Sequence, residues 1–426
     1  MKLSILFMLI LIPLTDVKLY GIKLSESFFI ILFLSESIKY LSGRSKKKCL
    51  DMEFNIYIKS LFLVFVLFFI FSILSFASSF YIPSNLTGFI YKPVVISISR
   101  FIQLFICAFM VLFLYNSIEN RNQFTMLLAM YVRIGVLICI YSLICYILNK
   151  YFGFELRGAY ISGNEFRLRG TFVEGGPFGN YIISVIYILY LYTNLTKKQR
   201  FVKYLSYSIL FVCLILAKSK AALILMILTI AAATLLLNLN INKRNKTKKS
   251  NLVVVLMFLI IVFLNRNMIF NGISNYYQSY KNAKYEAYMH IEDGNFVYGR
   301  IAGSHIVPNM IRNKPIIGVG LGNYPIVRND PTYRVYFPEV LGLDYSGLGI
   351  LETAAEVGIP LSIILIIIMS RIIIYIKTYK LPIYIISIGL FQVLVHICGT
   401  QITFIYPYFS TCVFYLYLKL RKRNIL

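Results

Sequence analysis

Long apolar segments alternate with short polar connectors along almost the whole chain. Runs of about 18 or more mainly apolar residues recur, which is the length that a helix needs to cross a bilayer. We place such segments at 3–20, 24–41, 56–80, 94–115, 124–148, 177–194, 203–218, 221–239, 251–265, 348–375, 382–399 and 402–418. The pattern predicts an all-α, polytopic integral membrane protein with about twelve transmembrane helices, within a range of eleven to thirteen.

The connectors predict the orientation of these helices. The connectors that carry four or more Lys or Arg residues are 43–51, 196–203, 242–250 and the tail 419–424. Basic connectors remain in the cytoplasm, so both termini are predicted to be cytoplasmic. The connectors left for the outer side are 149–176, the turn at 217–222 and a long loop at 266–347.

The same assignment divides the chain into three regions. Residues 1–265 would form transmembrane helices 1 to 9, residues 266–347 an extracytoplasmic loop domain, and residues 348–426 the last three helices with a basic tail. Within the loop, 276–293 is typical of a Tyr-rich helix, and 299–323 predicts a second helix followed by a Gly-rich turn. A loop of this length suggests a function beyond connecting two helices.

Composition narrows the classes of function. The chain is 59% hydrophobic with a net charge of +26, but its basic residues sit mainly in connectors, so nucleic acid is not a predicted partner. The seven cysteines lie mostly inside apolar runs, and no metal-ligand spacing occurs, so we expect no structural disulfide, metal or cofactor. The N-terminal apolar run lacks a small-residue cleavage site, which favours an uncleaved first helix over a signal peptide.

The stretch RLRGTFVEGGPFGNYI at 167–182 places charge at the mouth of an apolar segment. Charged groups next to hydrocarbon are costly and usually mark a site or a pathway. Arg167 and Arg169 could form an interfacial anchor pair whose side chains reach the headgroups. Glu174 and the adjacent Gly175–Gly176 are unusual in an anchor, and guanidinium groups at a flexible bend suit phosphate oxygens. Both interpretations remain open on the residues alone.

Further cations are predicted on the outer side. Lys218 and Lys220 lie in a turn between two apolar helices, where they could also be ordinary lysines that reach the interface. Arg300 and Arg312 lie in the long loop, where most arginines are simply solvated. Several external cations beside a membrane, in a protein whose helices hold few acids, together suggest an anionic ligand at the outer leaflet.

For each of the remaining candidates, an ordinary structural role is the alternative to a functional one. Glu352 and Glu356 are four residues apart on one helix face, so they could pair with the external arginines or be solvated at a helix end. His305 could act as a base, although an ordinary surface histidine is the alternative, and His396 is expected to form an interhelical hydrogen bond. The glycines at 318–323 are too closely spaced for a nucleotide fingerprint and favour a tight turn.

Taken in order, four motifs are similar to the landmarks of the O-antigen polymerase and O-antigen ligase superfamily. They are RLRGTFVEGGPFGNYI, then AKSK, then GR with NKPIIGVGLGN, and finally ILETAAEVGIP. The resemblance covers roughly residues 125 to 375, and the first four helices match only as generic membrane helices. It implies an enzyme of the bacterial inner membrane that acts on undecaprenyl-diphosphate-linked glycans at the outer face, as a metal-independent, inverting glycosyltransferase.

The resemblance also implies roles for individual residues. Arg169 matches the family arginine before a Gly-x-Phe step, which would bind diphosphate. Lys218 or Lys220 stands where the family has a basic residue after Ser or Thr, and Arg300 matches the loop arginine of the GR landmark. The catalytic candidates are Arg169, Glu174 and Arg300, with Glu174 orienting or deprotonating the attacking hydroxyl. The substrate-binding candidates are Arg167, Lys218, Lys220, His305, Arg312, Glu352 and Glu356.

One departure from the family pattern separates its two branches. Ligases carry a His–Asn pair about ten residues before the glycine that corresponds to Gly358, and here that register falls on Gly347 and Leu348. The missing histidine favours a polymerase, which would join lipid-linked repeat units into O-antigen, capsule or exopolysaccharide. Its partners would be the lipid-linked donor and acceptor, membrane lipids and a chain-length regulator. The alternatives are a flippase or other transporter of lipid-linked oligosaccharides, and a ligase-type transferase.

Overall fold

The computed structural model describes residues 3–14, 18–19, 22–41, 51–76, 88–162, 165–196, 200–240, 274–275, 277–289, 299–340, 342 and 344–426. The predicted helix at 251–265 lies outside the described residues, as do parts of the predicted loop domain. The described chain is almost entirely helical, which confirms the all-α class.

Helices and two short hairpins follow one another along the chain. Their bounds are α1 (Leu3–Leu11), β1 (Lys18–Leu19), β2 (Ile22–Lys23), α2 (Leu24–Leu41), α3 (Met52–Ser75), α4 (Pro93–Ser117), α5 (Arg121–Phe152), β3 (Ala159–Ser162), β4 (Glu165–Leu168), α6 (Gly175–Thr196), α7 (Arg200–Leu216), α8 (Lys220–Asn240), α9 (Ala283–Met289), α10 (Arg300–Asn313), α11 (Tyr324–Val327), α12 (Pro331–Arg334), α13 (Ile350–Val357), α14 (Ile359–Tyr379), α15 (Ile383–Ile397) and α16 (Ile405–Lys422).

Six of the described helices are long and apolar enough to cross a membrane. They are Met52–Ser75, Pro93–Ser117, Arg121–Phe152, Gly175–Thr196, Lys220–Leu237 and Ile359–Tyr379. Two shorter apolar helices, Phe201–Leu216 and Ile383–Ile397, accompany them. These helices confirm a multi-pass membrane protein, while the total of twelve remains a prediction.

The bundle is organised around α15, which packs against α6, α8, α14 and α16. Its core is rich in aromatic rings, and hydroxyl groups buried there find partners in neighbouring helices. The ring of Tyr131 on α5 stacks on Phe409 of α16 at 4.2 Å, and its hydroxyl lies 2.7 Å from Ser184 Oγ on α6. Such paired aromatic contacts fix how the helices sit around the site.

Two predicted helices differ from the observed ones. The first ends at Leu11 instead of continuing to residue 20, and part of the remainder forms the small β1–β2 hairpin. The predicted helix at 348–375 is broken at Gly358 into α13 and α14. Gly358 has φ +83°, and a Cβ there would lie 1.9 Å from Ile316 O, so a loop carbonyl occupies the space that a continuous helix would need.

The break at Gly358 separates α13 from the spanning helix α14. Helix α13 packs against α10 and α11, and its Ala355 joins a second apolar core with residues of the long loop such as Ile306, Met310 and Tyr324. Helices were predicted within the segments 276–293 and 299–323, and α9 and α10 lie there.

The Gly-rich turn at 318–322 caps the C-terminal end of α13. Val319 N donates to Ala355 O at 2.9 Å, and Gly320 N donates to Glu356 O at 2.8 Å, so carbonyls that the helix leaves open are satisfied. Gly318 has φ +72°, and a Cβ there would lie 2.3 Å from Glu356 O. The glycines are therefore needed for close backbone packing, which agrees with the tight turn predicted from the sequence.

The predicted orientation can be tested with fused reporters. Because basic connectors remain inside, reporters joined after residues 247 and 424 should report the cytoplasm, and one at residue 285 should report the outside. Paired alkaline phosphatase and fluorescent-protein fusions at each position would measure this. A cytoplasmic signal at 285 would remove the outer-face site altogether.

Candidate functional site

A short hairpin leads into the charged, Gly-rich stretch at 167–182. Strands β3 and β4 pair antiparallel, with Tyr160 directly opposite Arg167. Gly175 N, at the start of α6, donates to the Tyr160 hydroxyl at 3.3 Å. The hairpin is thus tied to α6, and it holds Arg167 near the first turn of that helix. No secondary structure was predicted for this connector.

Arg169 links two parts of the connector 149–176 by hydrogen bonds. Its Nε donates to Arg157 O at 2.7 Å, its Nη1 donates to Val173 O at 3.3 Å, and its guanidinium lies 5.4 Å from the centre of the Tyr160 ring. These two bonds use two of the five N–H donors of the side chain. Arg169 therefore positions the residue before Glu174, and diphosphate binding by its other donors remains a prediction.

The turn that carries Lys218 and Lys220 packs against the start of α6. A Cβ on Gly175 would lie 2.7 Å from Ala217 O, and one on Gly179 would lie 2.8 Å from Ala222 Cβ. Both lysine side chains are exposed. The glycines of the GGPFGN segment therefore let the lysine turn approach α6 directly beside Glu174.

Arg300 begins α10 and lies beside two loops from distant parts of the chain. A Cβ on Gly347 would lie 3.6 Å from Arg300 Nε, and one on Gly399 would lie 3.6 Å from Arg300 Nη2. A Cβ on Gly303, in the same helix, would lie 2.4 Å from Ser346 Cβ. The close packing of α10 on residues 346–347 thus fixes where the Arg300 guanidinium sits.

Glu174 shares this region with charges of both signs. Its side chain is accessible, yet surrounding protein atoms remove enough water to raise the pKa of the carboxyl group. The charge of Asp344 raises that pKa further, whereas Arg300 and Arg167 lower it. The structure therefore brings Glu174, Arg167 and Arg300 into one electrostatic cluster, together with Asp344, which the sequence analysis had not selected.

Glu356 contacts the segment that carries Asp344. It is buried, and its Oε1 accepts hydrogen bonds from Tyr345 Oη at 2.8 Å and from Tyr324 N at 3.2 Å. Burial raises the pKa of Glu356, and among the groups that lower it is Arg100, from the membrane helix α4. The hypothesis that Glu356 pairs with the external arginines is not supported, because the cation near it comes from α4.

Glu352 is buried one helical turn before Glu356, with 1% of its surface exposed. Burial and the charge of Glu356 raise its pKa to about 7, while the N–H groups of residues 346–348 lower it. Those N–H groups lie close enough to act on the carboxylate, but neither of its oxygens accepts a hydrogen bond from a described residue in good geometry. Glu352 and Glu356 leave a substrate no surface to contact, so the structure favours a supporting role for both.

Two arginines beside the site, the half-buried Arg100 and the buried Arg328, were not among the residues predicted from the sequence. Arg100 lies 5.3 Å from the centre of the Tyr345 ring and donates to Gln103 Oε1 at 2.9 Å. Arg328 is 2% exposed and lies 5.7 Å from the centre of the Tyr324 ring. Only Arg100 had a visible signal, since it interrupts an apolar run. Arg100 thus lies against Tyr345, and Arg328 lies against Tyr324, whose hydroxyl contacts Ser346 Oγ.

Two further candidates of the loop, Arg312 and His305, do not belong to the cluster. Arg312 is exposed twelve residues after Arg300 on the same helix, which is about 18 Å along the axis. The His305 ring stacks on Tyr280 at 4.4 Å, and burial lowers its pKa, so it is a neutral member of an aromatic cluster. His396 Nδ1 lies 3.2 Å from the carbonyl oxygen of Thr400, which follows the C-terminal end of α15. The prediction that His396 forms an interhelical hydrogen bond was therefore wrong.

The cluster is suited to binding an anion. Arg167, Arg300 and the exposed lysine turn supply positive charge from three separate segments, and Glu174 supplies a carboxylate next to them. Fixed cations around a leaving diphosphate stabilise its developing charge. Among the described residues, no group of three or more His, Cys, Asp or Glu side chains is placed to hold a metal ion.

The family comparison covers the second half of this site. A family model described as O-antigen ligase matches residues 205–366. The resemblance to the O-antigen ligase and polymerase superfamily is confirmed. The matched region contains the lysine turn, α10, the Gly-rich turn and α13, whereas Arg167, Arg169 and Glu174 precede it. No curated protein sequence matches the chain.

The match to the O-antigen ligase family fits the fold. Its members are membrane enzymes that process glycans carried on lipids, and this chain has several helices able to span a membrane beside a folded loop region. The family match does not distinguish polymerase from ligase.

Proposed function

We propose that the chain is a polymerase that joins oligosaccharide repeat units carried on undecaprenyl diphosphate, at the outer face of the bacterial inner membrane. The growing chain on lipid diphosphate would be the donor, and a new lipid-linked repeat unit would be the acceptor. The product would be O-antigen, capsule or exopolysaccharide. The electrostatic cluster of Glu174, Arg167 and Arg300 is the observation that carries this proposal.

The proposed reaction uses both the positive and the negative groups of this cluster. A hydroxyl oxygen of the acceptor attacks the anomeric carbon of the donor sugar, and the bond from that carbon to the diphosphate oxygen breaks. Arg167, Arg300 and a lysine of the 218–220 turn neutralise the diphosphate that leaves. The proton of the attacking hydroxyl passes to the Glu174 carboxylate, whose raised pKa makes it a better proton acceptor.

The residues beside Arg300 favour a polymerase over a ligase. Residues 344–348 pack against α10, and they read Asp-Tyr-Ser-Gly-Leu. By resemblance, this is where a ligase would place its His–Asn pair. The described histidines in the loop and in α15 take part in other contacts: His305 stacks on Tyr280, and His396 contacts Thr400.

A groove in the loop region supplies a surface for the glycan. It has a volume of about 620 Å³ between α9 and the segment that follows α12, and Tyr285, Tyr336 and Lys281 are among its lining residues. Tyr285 is 66% exposed, so its ring is available to a sugar face. This groove supports the role that we assign to the Tyr-rich segment, which is to hold the sugars of the donor or acceptor.

A strain from which this chain has been deleted tests the proposal. We expect it to display single repeat units on its surface glycolipid but no ladder of longer chains, because transfer to the final carrier does not need polymerisation. Silver-stained gels of the extracted glycolipid would measure this, with the wild-type gene on a plasmid as the control.

Two other outcomes would reject the polymerase. Loss of even the single unit, with unpolymerised units trapped on the lipid carrier, would point to a flippase. Long chains that accumulate on lipid diphosphate, with none transferred to the final carrier, would point to a ligase.

A further inference from the structure

An arginine interrupts the lipid-facing surface of α5. Met126, Leu137 and Ile144 lie on one face of this helix and are 42%, 64% and 52% exposed, which is typical of side chains that face lipid. Arg133 is exposed on the same face, seven residues after Met126 and four before Leu137. A charge in such a position is costly in a bilayer and needs a partner.

Arg133 lies well inside the helix. It follows Arg121, the first residue of α5, by twelve residues, or about 18 Å along the axis. Side chains on a helix tilt toward its N-terminal end, so the guanidinium of Arg133 reaches back toward the end of the bundle where α5 begins. That end is the predicted cytoplasmic side.

A groove receives the side chain there. It has a volume of about 330 Å³, and α5 lines it with Thr125, Met126, Ala129, Met130 and Arg133, while α6 adds Tyr192 and Thr196. Arg121 Nη2 donates to Leu195 O at 3.0 Å, which ties the start of α5 to the end of α6. The groove is therefore a feature of two packed helices, and the described residues that line it are apolar except for one cation and three hydroxyl groups.

The hydrogen bonds of the two threonines define what the groove can accept. Thr125 Oγ1 donates to Asn122 O at 3.1 Å, and Thr196 Oγ1 donates to Tyr192 O at 2.8 Å. With their hydrogens used in this way, these oxygens can only accept hydrogen bonds from a ligand. In addition to the Tyr192 hydroxyl, the groove thus offers one cation for an anion and two acceptors for donor groups, next to apolar walls for acyl chains.

We infer that this groove binds a phospholipid with an anionic, hydroxyl-bearing headgroup, of the phosphatidylglycerol type. Its phosphate would lie against the Arg133 guanidinium, and its headgroup hydroxyls would donate to Thr125 and Thr196. Basic pockets between helices on the cytoplasmic side are known to suit anionic headgroups. A zwitterionic headgroup fits less well, since its ammonium or choline group would be brought close to Arg133, and the described lining residues include no carboxylate to offset it. The inference is independent of the proposed function.

The full-length protein in nanodiscs tests this inference. Discs of phosphatidylcholine with increasing phosphatidylglycerol would be prepared, and lipids retained by the protein would be counted by native mass spectrometry. We expect wild type to retain phosphatidylglycerol in preference to phosphatidylcholine, and Arg133→Gln to weaken that retention about tenfold or more. Arg133→Lys should keep part of it, because an ammonium retains the charge but not the two-point contact.

A matched control lies on the same helix. Lys150 is exposed near the opposite end of α5, outside the groove, so Lys150→Gln should bind phosphatidylglycerol as wild type does. Equal retention by wild type and Arg133→Gln would overturn the inference and make Arg133 a side chain that only reaches the bulk headgroups. Displacement of the bound lipid by inorganic phosphate would also overturn it, in favour of a site for a free anion.

Discussion

Replacing Arg300 with alanine is expected to slow polymerisation by roughly 30- to 1000-fold while leaving the protein in the membrane at its normal level. The loss corresponds to about 2–4 kcal/mol of transition-state stabilisation, which is the usual cost of removing one preorganised charge from a leaving group. Arg300 begins α10, lies beside Gly347 and Gly399, and acts on Glu174. Among the described arginines of residues 205–366, Arg300 is the one whose charge lowers the pKa of Glu174.

The same helix supplies the control for Arg300. Arg312 is exposed about 18 Å further along α10, so Arg312→Ala removes an equal charge from the loop without touching the cluster. We expect its glycan ladder to match wild type. The ladder would be measured on gels and the rate with purified protein and lipid-linked repeat units. Equal damage from both alanine variants would mean that the general basicity of the loop matters, and not the position of Arg300.

Arg300→Lys separates charge from geometry. A guanidinium binds two phosphate oxygens at once, whereas an ammonium binds as a point charge, so the lysine variant should recover only part of the rate. Full recovery would show that Arg300 contributes charge alone.

Helix positions were predictable because membrane helices depend on local hydropathy. The prediction at 24–41 coincides with α2, and that at 94–115 lies within two residues of α4 at either end. The prediction at 348–375 failed because the break depends on tertiary contact: the carbonyl of Ile316 occupies the space next to Gly358. Nothing within the segment itself shows that a loop carbonyl will approach it.

The site was predictable only in part, for a similar reason. Charge at the mouth of an apolar segment indicated Glu174, and the GR landmark of the long loop indicated Arg300; the structure places both in one cluster. The supporting layer, made up of Arg100, Tyr345, Glu352 and Glu356, could not be predicted, because Arg100 and Glu356 are 256 positions apart and nothing in either segment shows that the two side chains meet. Burial, which spacing along the chain does not reveal, is what distinguishes Glu356 from a solvated helix-end carboxylate.

The supporting layer carries a second large expected effect, at Glu352. This residue lies in α13, outside the spanning helices, and its pKa is raised from 4.5 to about 7 by burial and by the charge of Glu356. A carboxyl group whose pKa is higher in the folded state binds its proton more tightly there. Below pH 4.5 the group is neutral in both states and costs nothing, and as the pH rises through 7 the folded protein must ionise a buried acid.

Glu352→Gln is therefore expected to stabilise the protein at pH 8 by about 3 kcal/mol, because the amide has a similar shape and no charge to bury. The gain should shrink between pH 7 and 4.5 and disappear below that range. Thermal melting of the purified protein in detergent, at matched heating rates from pH 4 to 8, would measure it. Glu155→Gln, at an exposed position, controls for the loss of one negative charge and should leave the melting temperature unchanged. If Glu352→Gln instead lowered the melting temperature at pH 8, Glu352 would be an ionised group with a favourable partner, and the supporting layer would be held together by its charge.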